Sequence, residues 1–425
     1  MAEQMMQEAA GKAIPAGYQQ TEVGVIPEDW EAIPLGGICK VQGGFAFKSE
    51  KFKKTGVPIL RISNIQSGFL DVNEVVYYAV GEKIPKQFEV HDGDALIAMS
   101  GATTGKVGVY NKNEVAYLNQ RVGKFVLYGN ADMKYIQHVV GSDLYKSALS
   151  NMLEQGAQPN ISSSQLERII IRKPTLEIEQ KIIANVLSDS DALIDALEQL
   201  IAKKQAIKSA TMQQLLTGRT RLPAFALRPD GTQKGYKPSE LGEIPENWVV
   251  IPLGDICSLY QPVTISGSEL KESGYPVYGA NGLIGFYEKY NHEAPQVIVT
   301  CRGSTCGTVN YTVAKSWITG NAMVVDVDKN KKLDKNFTYY MLSNQDLTVC
   351  ITGSGQPQIV RSPLAAFKVV LPEIEEQTAI ATILSDMDNE LQALTRKLEK
   401  ARALKQGMMQ QLLTGKIRLP LAAGA

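Results

Sequence analysis

Between residues 380 and 412, apolar side chains fall at alternating steps of four and three: Ile380, Leu384, Met387, Leu391, Leu394, Leu398, Ala401, Met408 and Leu412, broken only at Lys405. The same frame runs through Ile183, Leu187, Ser190, Ile194, Leu197, Ile201, Lys204, Lys208, Thr211 and Leu215. A stripe at that spacing over about five heptads predicts a coiled-coil seam. Roughly 35–38 residues at about 1.5 Å each make a rod of roughly 50–57 Å. Gly218 and Gly415 stand where a helix C-cap belongs, with prolines shortly after. The polar interruptions at Lys204, Lys208 and Lys405 argue against two ordinary core helices. Two such helices in one chain are expected to pair antiparallel and to hold the remaining chain apart like the ends of a dumbbell.

Elsewhere the apolar runs are short. Ala95 to Met99 and Gln296 to Thr300 are strand-like and end in glycine-rich turns, and Val122 to Leu127 and Ala322 to Val327 predict further strands. Gln137 to Met152 and Phe337 to Val349 predict short helices. The bodies therefore read as mixed α/β.

The chain repeats itself. Gly17-Tyr18, Thr21-Glu22-Val23-Gly24-Val25-Ile26-Pro27-Glu28-Asp29-Trp30 and Ile33-Pro34-Leu35-Gly36 return as Gly235-Tyr236, Ser239-Glu240-Leu241-Gly242-Glu243-Ile244-Pro245-Glu246-Asn247-Trp248 and Ile251-Pro252-Leu253-Gly254. Glu179-Gln180 and Leu187-Ser188-Asp189 return as Glu376-Gln377 and Leu384-Ser385-Asp386; Met212 to Gly218 returns as Met409 to Gly415. Between these blocks the halves diverge but keep landmarks. Ser100-Gly101-Ala102-Thr103-Thr104-Gly105 parallels Arg302-Gly303-Ser304-Thr305-Cys306-Gly307, and Gln158-Pro159-Asn160-Ile161 parallels Gln356-Pro357-Gln358-Ile359. Each half is a leading segment, a variable body of about 130 residues, and a helix, as a tandem duplication leaves them.

At 425 residues the chain fits two to four domains, and 44% hydrophobic with 21% charged residues is ordinary globular usage. Lys+Arg and Asp+Glu both number 44, which argues against a polybasic tail but not against local basic patches. No apolar run approaches the length of a membrane span, and the polar start, with Glu3, Glu8 and Lys12, does not resemble a signal peptide. The five cysteines (Cys39, Cys257, Cys301, Cys306, Cys350) lack Cys-x-x-Cys spacing, so neither disulfides nor zinc are expected and the reducing cytoplasm is the natural home.

Catalytic constellations are missing. His91, His138 and His292 have no ligand partners at metal spacing. Ser100 to Lys106 resembles a phosphate loop, but is one residue short between its glycines and lacks the following Ser or Thr; a tight turn with exposed N–H groups is the better reading. Pro229-Asp230 with Glu269-Leu270-Lys271 imitates a nuclease pattern, but Pro229-Asp230-Gly231 reads as a turn and the first half has no equivalent. No amino-methyltransferase motif is present.

The Ile-Pro-x-x-Trp leading segment, Gly56 to Ile65, Gln158 to Ser162 and the Gln-Gln-Leu-Leu-Thr-Gly-x-x-Arg-Leu helix ends resemble the specificity (S) subunit of type I restriction–modification systems, over about residues 18 to 420 and in both halves. That resemblance implies an α+β chain with a pseudo-two-fold internal repeat: two mixed α/β target-recognition domains joined by two long antiparallel coiled-coil helices. It implies a non-catalytic chain that recognises an asymmetric bipartite double-stranded DNA target, with the helices as a ruler. It further implies two copies of a methyltransferase (modification) subunit carrying S-adenosylmethionine, and restriction subunits, as partners; this chain carries no cofactor and no metal. The segments are then an N-terminal extension (1–17), a first recognition domain (18–173), a spacer helix (174–218), a linker (219–234), a second recognition domain (235–371), a second spacer helix (372–415) and a tail (416–425).

Base edges demand hydrogen-bonding side chains, so readers are sought on loops where the halves diverge. The first body offers Lys48, Lys51, Lys53, Lys54, Arg61, Asn64, Thr103, Thr104, Lys106, Asn119, Gln120 and Arg121; the second offers Lys271, Asn281, Arg302, Ser304, Thr305, Thr319, Asn321, Gln356, Gln358 and Arg361. Lysines suit phosphates, which position without specifying. The shared Gln158-Pro159-Asn160 is either structural or a DNA contact. Two other classes remain: a coiled-coil protein-binding adaptor, separable by salt-dependent duplex binding, and a fused adenine methyltransferase–specificity protein, against which the missing cofactor motifs already count.

Overall fold

The computed structural model describes residues 14–153, 160–280, 282–353 and 357–421. The chain divides into two compact units, Met1–Ala196 with Leu398–Ala425, and Leu197–Lys397. The division cuts through both long helices, Glu177–Leu216 (40 residues) and Ile374–Leu412 (39 residues), so each unit holds a stretch of each.

Every position of the predicted seam from Ile183 to Leu215 is buried or half-buried, while Leu193, Leu200 and Ile207 just off it are exposed. The seam lysines have partners on the facing helix. In the second unit Lys204 reaches Glu390 at 2.7 Å and Lys208 pairs with Asp388. Numbers rise on one helix as they fall on the other, so the helices are antiparallel. In the first unit Lys405 pairs with Asp191. A charge at a seam position is tolerated when matched across the interface, and it fixes register where leucines alone would permit a slip.

The first unit contains a five-stranded sheet in the order Cys39–Gly43, Val122–Leu127, Ala95–Ala98, Val107–Val109, Gly68–Phe69, and a four-stranded sheet of Val76–Tyr78, Val57–Leu60, Ala116–Leu118 and Glu89–Val90. The second has a four-stranded sheet (Ser258–Tyr260, Ala322–Asp326, Val297–Thr300, Val309–Tyr311) and a three-stranded one (Gly282–Tyr287, Tyr275–Gly279, Trp317–Ile318). Ala95–Ala98 and Val297–Thr300 are buried throughout, which is why they read as unbroken apolar runs.

The short helices differ from expectation. Residues 137–152 are covered by two helices, Met133–Gly141 and Asp143–Leu153. Ser142 separates them in an extended conformation; its hydroxyl donates to the Val139 carbonyl (2.6 Å) and accepts from the Tyr145 N–H (3.2 Å), ending one helix and starting the next. Lys335–Ser343 stops at Asn344, and Asp346 caps a separate turn, Leu347–Cys350.

The duplicated blocks meet in each unit at the C-terminal end of a long helix. In the first, Tyr18 Oη donates to the Gly415 carbonyl (3.0 Å); in the second, Tyr236 Oη donates to the Gly218 carbonyl (3.0 Å). Both glycines are left-handed (φ 70° and 71°), and a Cβ there would lie 2.5 Å from Pro27 or Pro245. Only glycine satisfies both conditions, which explains the repeated Leu-Leu-Thr-Gly. The repeated Glu-Gln pair is buried beside it. Gln180 Oε1 accepts the Asp132 N–H and Gln377 Oε1 the Asp334 N–H, both at 2.9 Å, tying each body's helix cap to the start of a long helix.

Candidate nucleic-acid interface

Three segments converge in the first unit. The strand Ala95–Ala98 runs into the loop Ser100–Gly105, shaped by left-handed Gly101 (φ 78°) and Gly105 (φ 83°). Met99 N–H donates to the Arg121 carbonyl (3.0 Å), laying the Asn119–Arg121 turn alongside, and Ile161 N–H donates to the Met99 carbonyl (2.9 Å), bringing Asn160 against Ser100. Met99, Ser100, Gly101, Gln120, Arg121, Asn160 and Ile161 line an open cleft of about 570 Å³. Gln120 and Arg121 are exposed in it, and the Ser100 hydroxyl is buried without a partner.

The second unit repeats the arrangement with other side chains. Gly303 (φ 80°) and Gly307 (φ 94°) shape the loop, Cys301 N–H donates to the Asn321 carbonyl (2.9 Å), and Ile359 N–H donates to the Cys301 carbonyl (3.0 Å). Arg302, exposed, therefore sits against Gln358, as Ser100 sits against Asn160.

Thr103, Thr104, Lys106, Asn119, Gln120 and Arg121 thus belong to the first cluster, and Arg302, Ser304, Thr305, Asn321 and Gln358 to the second. Thr103 and Thr104 hydroxyls donate to the Ile62 and Gly101 carbonyls (2.9 and 2.6 Å), and Lys106 Nζ to Gln66 Oε1 (3.0 Å), so these three brace the loop. Lys48, Lys51, Lys53 and Lys54 are exposed on another segment, where the Glu82 carboxylate 3.0 Å from Lys51 raises that ammonium's pKa. Arg61 is half-buried, with its Nε buried and unpartnered. Arg361 is exposed at the start of the helix Arg361–Ala366.

Two candidates are corrected. Asn64 is 3% exposed: its Oδ1 accepts the Arg61 N–H (2.9 Å) and its Nδ2 donates to the Asp71 and Glu74 carbonyls (2.9 and 3.1 Å), which uses its side chain to hold a turn. Thr319 is 1% exposed and cannot meet a base edge. Lys271 is exposed beside Phe286, as Lys53 is beside Tyr77, and pairs with Glu288 at 3.4 Å. Asn281 and Gln356, with Gln158 and Pro159, lie outside the described residues.

Two residues unsuspected from sequence support the second cluster. Gln261 Nε2 donates to the Gly320 carbonyl (2.9 Å), and Gly320 N–H donates to Thr264 Oγ1 (3.2 Å), holding the turn that ends in Asn321. They lie where the halves diverge, so no repeat signal marks them.

Burial pushes the Cys301 thiol up to about 11 and raises that of Cys306, keeping both protonated. Among the described residues no group of three or more His, Cys, Asp or Glu could hold a metal ion, and no helix is long and apolar enough to cross a membrane.

The profile of the family described as "Type I restriction modification DNA specificity domain" matches residues 27–208 and 245–401, most of the chain and both halves. The chain belongs to this type I specificity family. Over 95% of its length (97% of the relative's) it is 28% identical to the MjaX specificity subunit assigned to a type I restriction enzyme in Methanocaldococcus jannaschii. The type I restriction enzyme MjaVIII specificity subunit of the same organism is 25% identical over 93% of this chain and 94% of its own. The crystal structure of the type I restriction-modification S subunit from M. genitalium covers 92% of this chain and 97% of its own, with a TM-score of 0.62 at 16% identity, a likeness of fold. As a type I specificity subunit, the chain is a DNA-recognition subunit rather than a catalytic one.

Proposed function

We propose that each unit reads one half of an asymmetric bipartite target in double-stranded DNA through its three-segment cluster, without chemical turnover. The observation that carries this reading is the repetition of one backbone arrangement with different side chains. Ser100, Gln120, Arg121 and Asn160 stand where the second unit has Arg302, Gly320, Asn321 and Gln358. Equal frames holding unlike donors and acceptors are suited to unlike base sequences. Lys48, Lys51, Lys53 and Lys54 supply phosphate contacts that position the first unit.

The long helices, with their register fixed by Lys204–Glu390, Lys208–Asp388 and Lys405–Asp191, set the number of unread base pairs. The repeated helix ends and leading hairpins offer one surface twice, which suits two copies of one methyltransferase subunit. On this reading that subunit carries S-adenosylmethionine, restriction subunits complete the assembly, and the complex works where the DNA is, in the cytoplasm.

The test is binding of short duplexes by the chain assembled with its methylation subunit. Affinity should fall steeply as salt rises, because phosphate contacts release counterions, and S-adenosylmethionine should bind the assembly but not the isolated chain. Salt-independent binding, or cofactor held by the isolated chain, would refute the proposal.

A further inference from the structure

We infer that Phe69 and Leu283 are base-contacting residues, the apolar members of the two recognition surfaces; this rests on the DNA-reading function proposed above. In the first unit the Thr103 hydroxyl ties the Ser100–Gly105 loop to the Ile62 carbonyl at 2.9 Å. The chain from Ile62 reverses in a turn closed by the Gln66 N–H on the Phe69 carbonyl (3.0 Å), with Gly68 left-handed (φ 93°). Gly68 and Phe69 then pair with Gly108 and Val109, on the strand that leaves the loop.

The second unit reaches the same place by another route. Thr305, the repeat counterpart of Thr103, donates to the Ala280 carbonyl, and the hairpin beyond turns back at left-handed Gly282 (φ 72°). A Cβ on Gly282 would lie 3.5 Å from Oδ1 of Asn310, on the second unit's counterpart of that outgoing strand.

Thus in both units the loop threonine anchors a neighbouring segment that turns at a left-handed glycine and presents a large apolar residue directly after it. Phe69 is 58% exposed and Leu283 53% exposed. Beyond the glycine and the apolar residues after it the two segments are unlike, and the first is a parallel edge strand whereas the second is an antiparallel hairpin. Duplicated scaffold does not account for the coincidence. An apolar side chain exposed beside polar readers is costly in water, but it suits the apolar parts of bases, a thymine methyl in the groove or the face of an unstacked step. Duplex DNA is the occupant argued for because Lys106 reaches Gln66 in the Phe69 turn (3.0 Å) and Arg302 stands exposed on the loop that Thr305 ties to the Leu283 hairpin, charges that match a polyanion.

The experiment expresses the full chain, wild type or variant, with its methylation subunit in a host lacking adenine methylation, and sequences the methylome. Phe69→Ala is expected to lower the methylated fraction of the wild-type motif at least about 10-fold, or to degrade one half-site while the other stays intact. Leu283→Ala should do the same to the opposite half. Val80→Ala, at an 80% exposed apolar residue outside both clusters, should leave the motif unchanged. Methylated fractions within twofold of wild type for both variants would overturn the inference, and so would loss of assembly on gel filtration, which would make these packing residues. A wild-type complex that methylates no bipartite motif would instead sink the function on which the inference rests.

Discussion

In the first unit Arg418 divides its guanidinium between Glu179 (2.5 and 2.8 Å) and Asp29 (both oxygens 2.8 Å). In the second, Arg221 grips Glu376 (2.7 Å twice) but has only the amide oxygen of Asn247 (3.0 Å) where Asp29 would be. Glu376 makes up the difference by accepting the Trp248 indole N–H at 2.9 Å, while the Trp30 indole nitrogen is buried without a partner. The same residues thus lock each unit, with the charge distributed differently. The loop clusters show the converse, one backbone frame with different side chains. Buried residues in partnered networks drift little because each change strands a partner, whereas exposed loop residues can change freely once the glycines hold the frame.

Breaking the locks should give the largest effects. Glu376→Ala leaves the Trp248 indole without its acceptor and Arg221, whose side chain is 7% exposed, with only the neutral oxygens of Asn247 and Phe225, and should cost about 3–5 kcal/mol. Glu179→Ala should cost about 1–2 kcal/mol less, because Arg418 keeps Asp29 and is 34% exposed. Hydrogen exchange on the strand pairs Trp30–Pro34/Ile170–Pro174 and Val249–Pro252/Lys368–Leu371 would measure each unit in the intact chain. Equal losses would show that the Asp29-to-Asn247 difference carries no energy.

Arg302→Ala should weaken or relax one half-site by about 10- to 100-fold, and Arg121→Ala the other, with assembly intact. An unchanged motif in the methylome of either variant would remove that residue from the reading surface.

A third contrast is visible in pH. Asp191 faces Lys405 and lies 4.0 Å from His138, whereas Asp388 faces Lys208 and accepts from Tyr340 Oη at 2.7 Å. His138, with Ser188 3.1 Å away, is buried, and burial lowers its pKa to about 4; Asp191 and Asp132 pull it up and Lys405 pushes it down. A depressed folded value means stability is complete above the unfolded pKa of about 6.5 and is lost as pH falls towards 4. Lowering pH from 7 to 5 should therefore cost the first unit roughly 1–2 kcal/mol through His138, while in the second unit His292, whose pKa burial also lowers, acts in the same direction. His138→Tyr, which copies the second unit, should remove the first unit's difference in hydrogen exchange between the two pH values; a persistent difference would mean that another group titrates.

The smallest effect is expected from the lysines proposed to contact phosphates. Lys54→Ala should reduce the slope of log affinity against log salt by about one and leave the motif as it was. A changed motif would make Lys54 a reader.

The helices were legible because a seam and its lysine interruptions leave a periodic trace, and Gly218 and Gly415 mark real left-handed caps. The glycine loops were legible as a repeat of Gly101/Gly105 and Gly303/Gly307. What sequence could not separate was a polar residue facing outward from one turned inward. Asn64 and Thr319 carry reader chemistry, but their burial depends on folding against Asp71, Glu74 and Tyr278. Phe69 and Leu283 were invisible for the opposite reason, since a search confined to hydrogen-bonding types passes over apolar residues, and their common position arises only in three dimensions.

The most direct test of two separate readers on one chain is methylome sequencing of a host carrying the wild-type chain with its methylation subunit. Two unlike half-sites separated by a constant run of unread base pairs are predicted. A single uninterrupted motif, or two identical half-sites, would contradict the account.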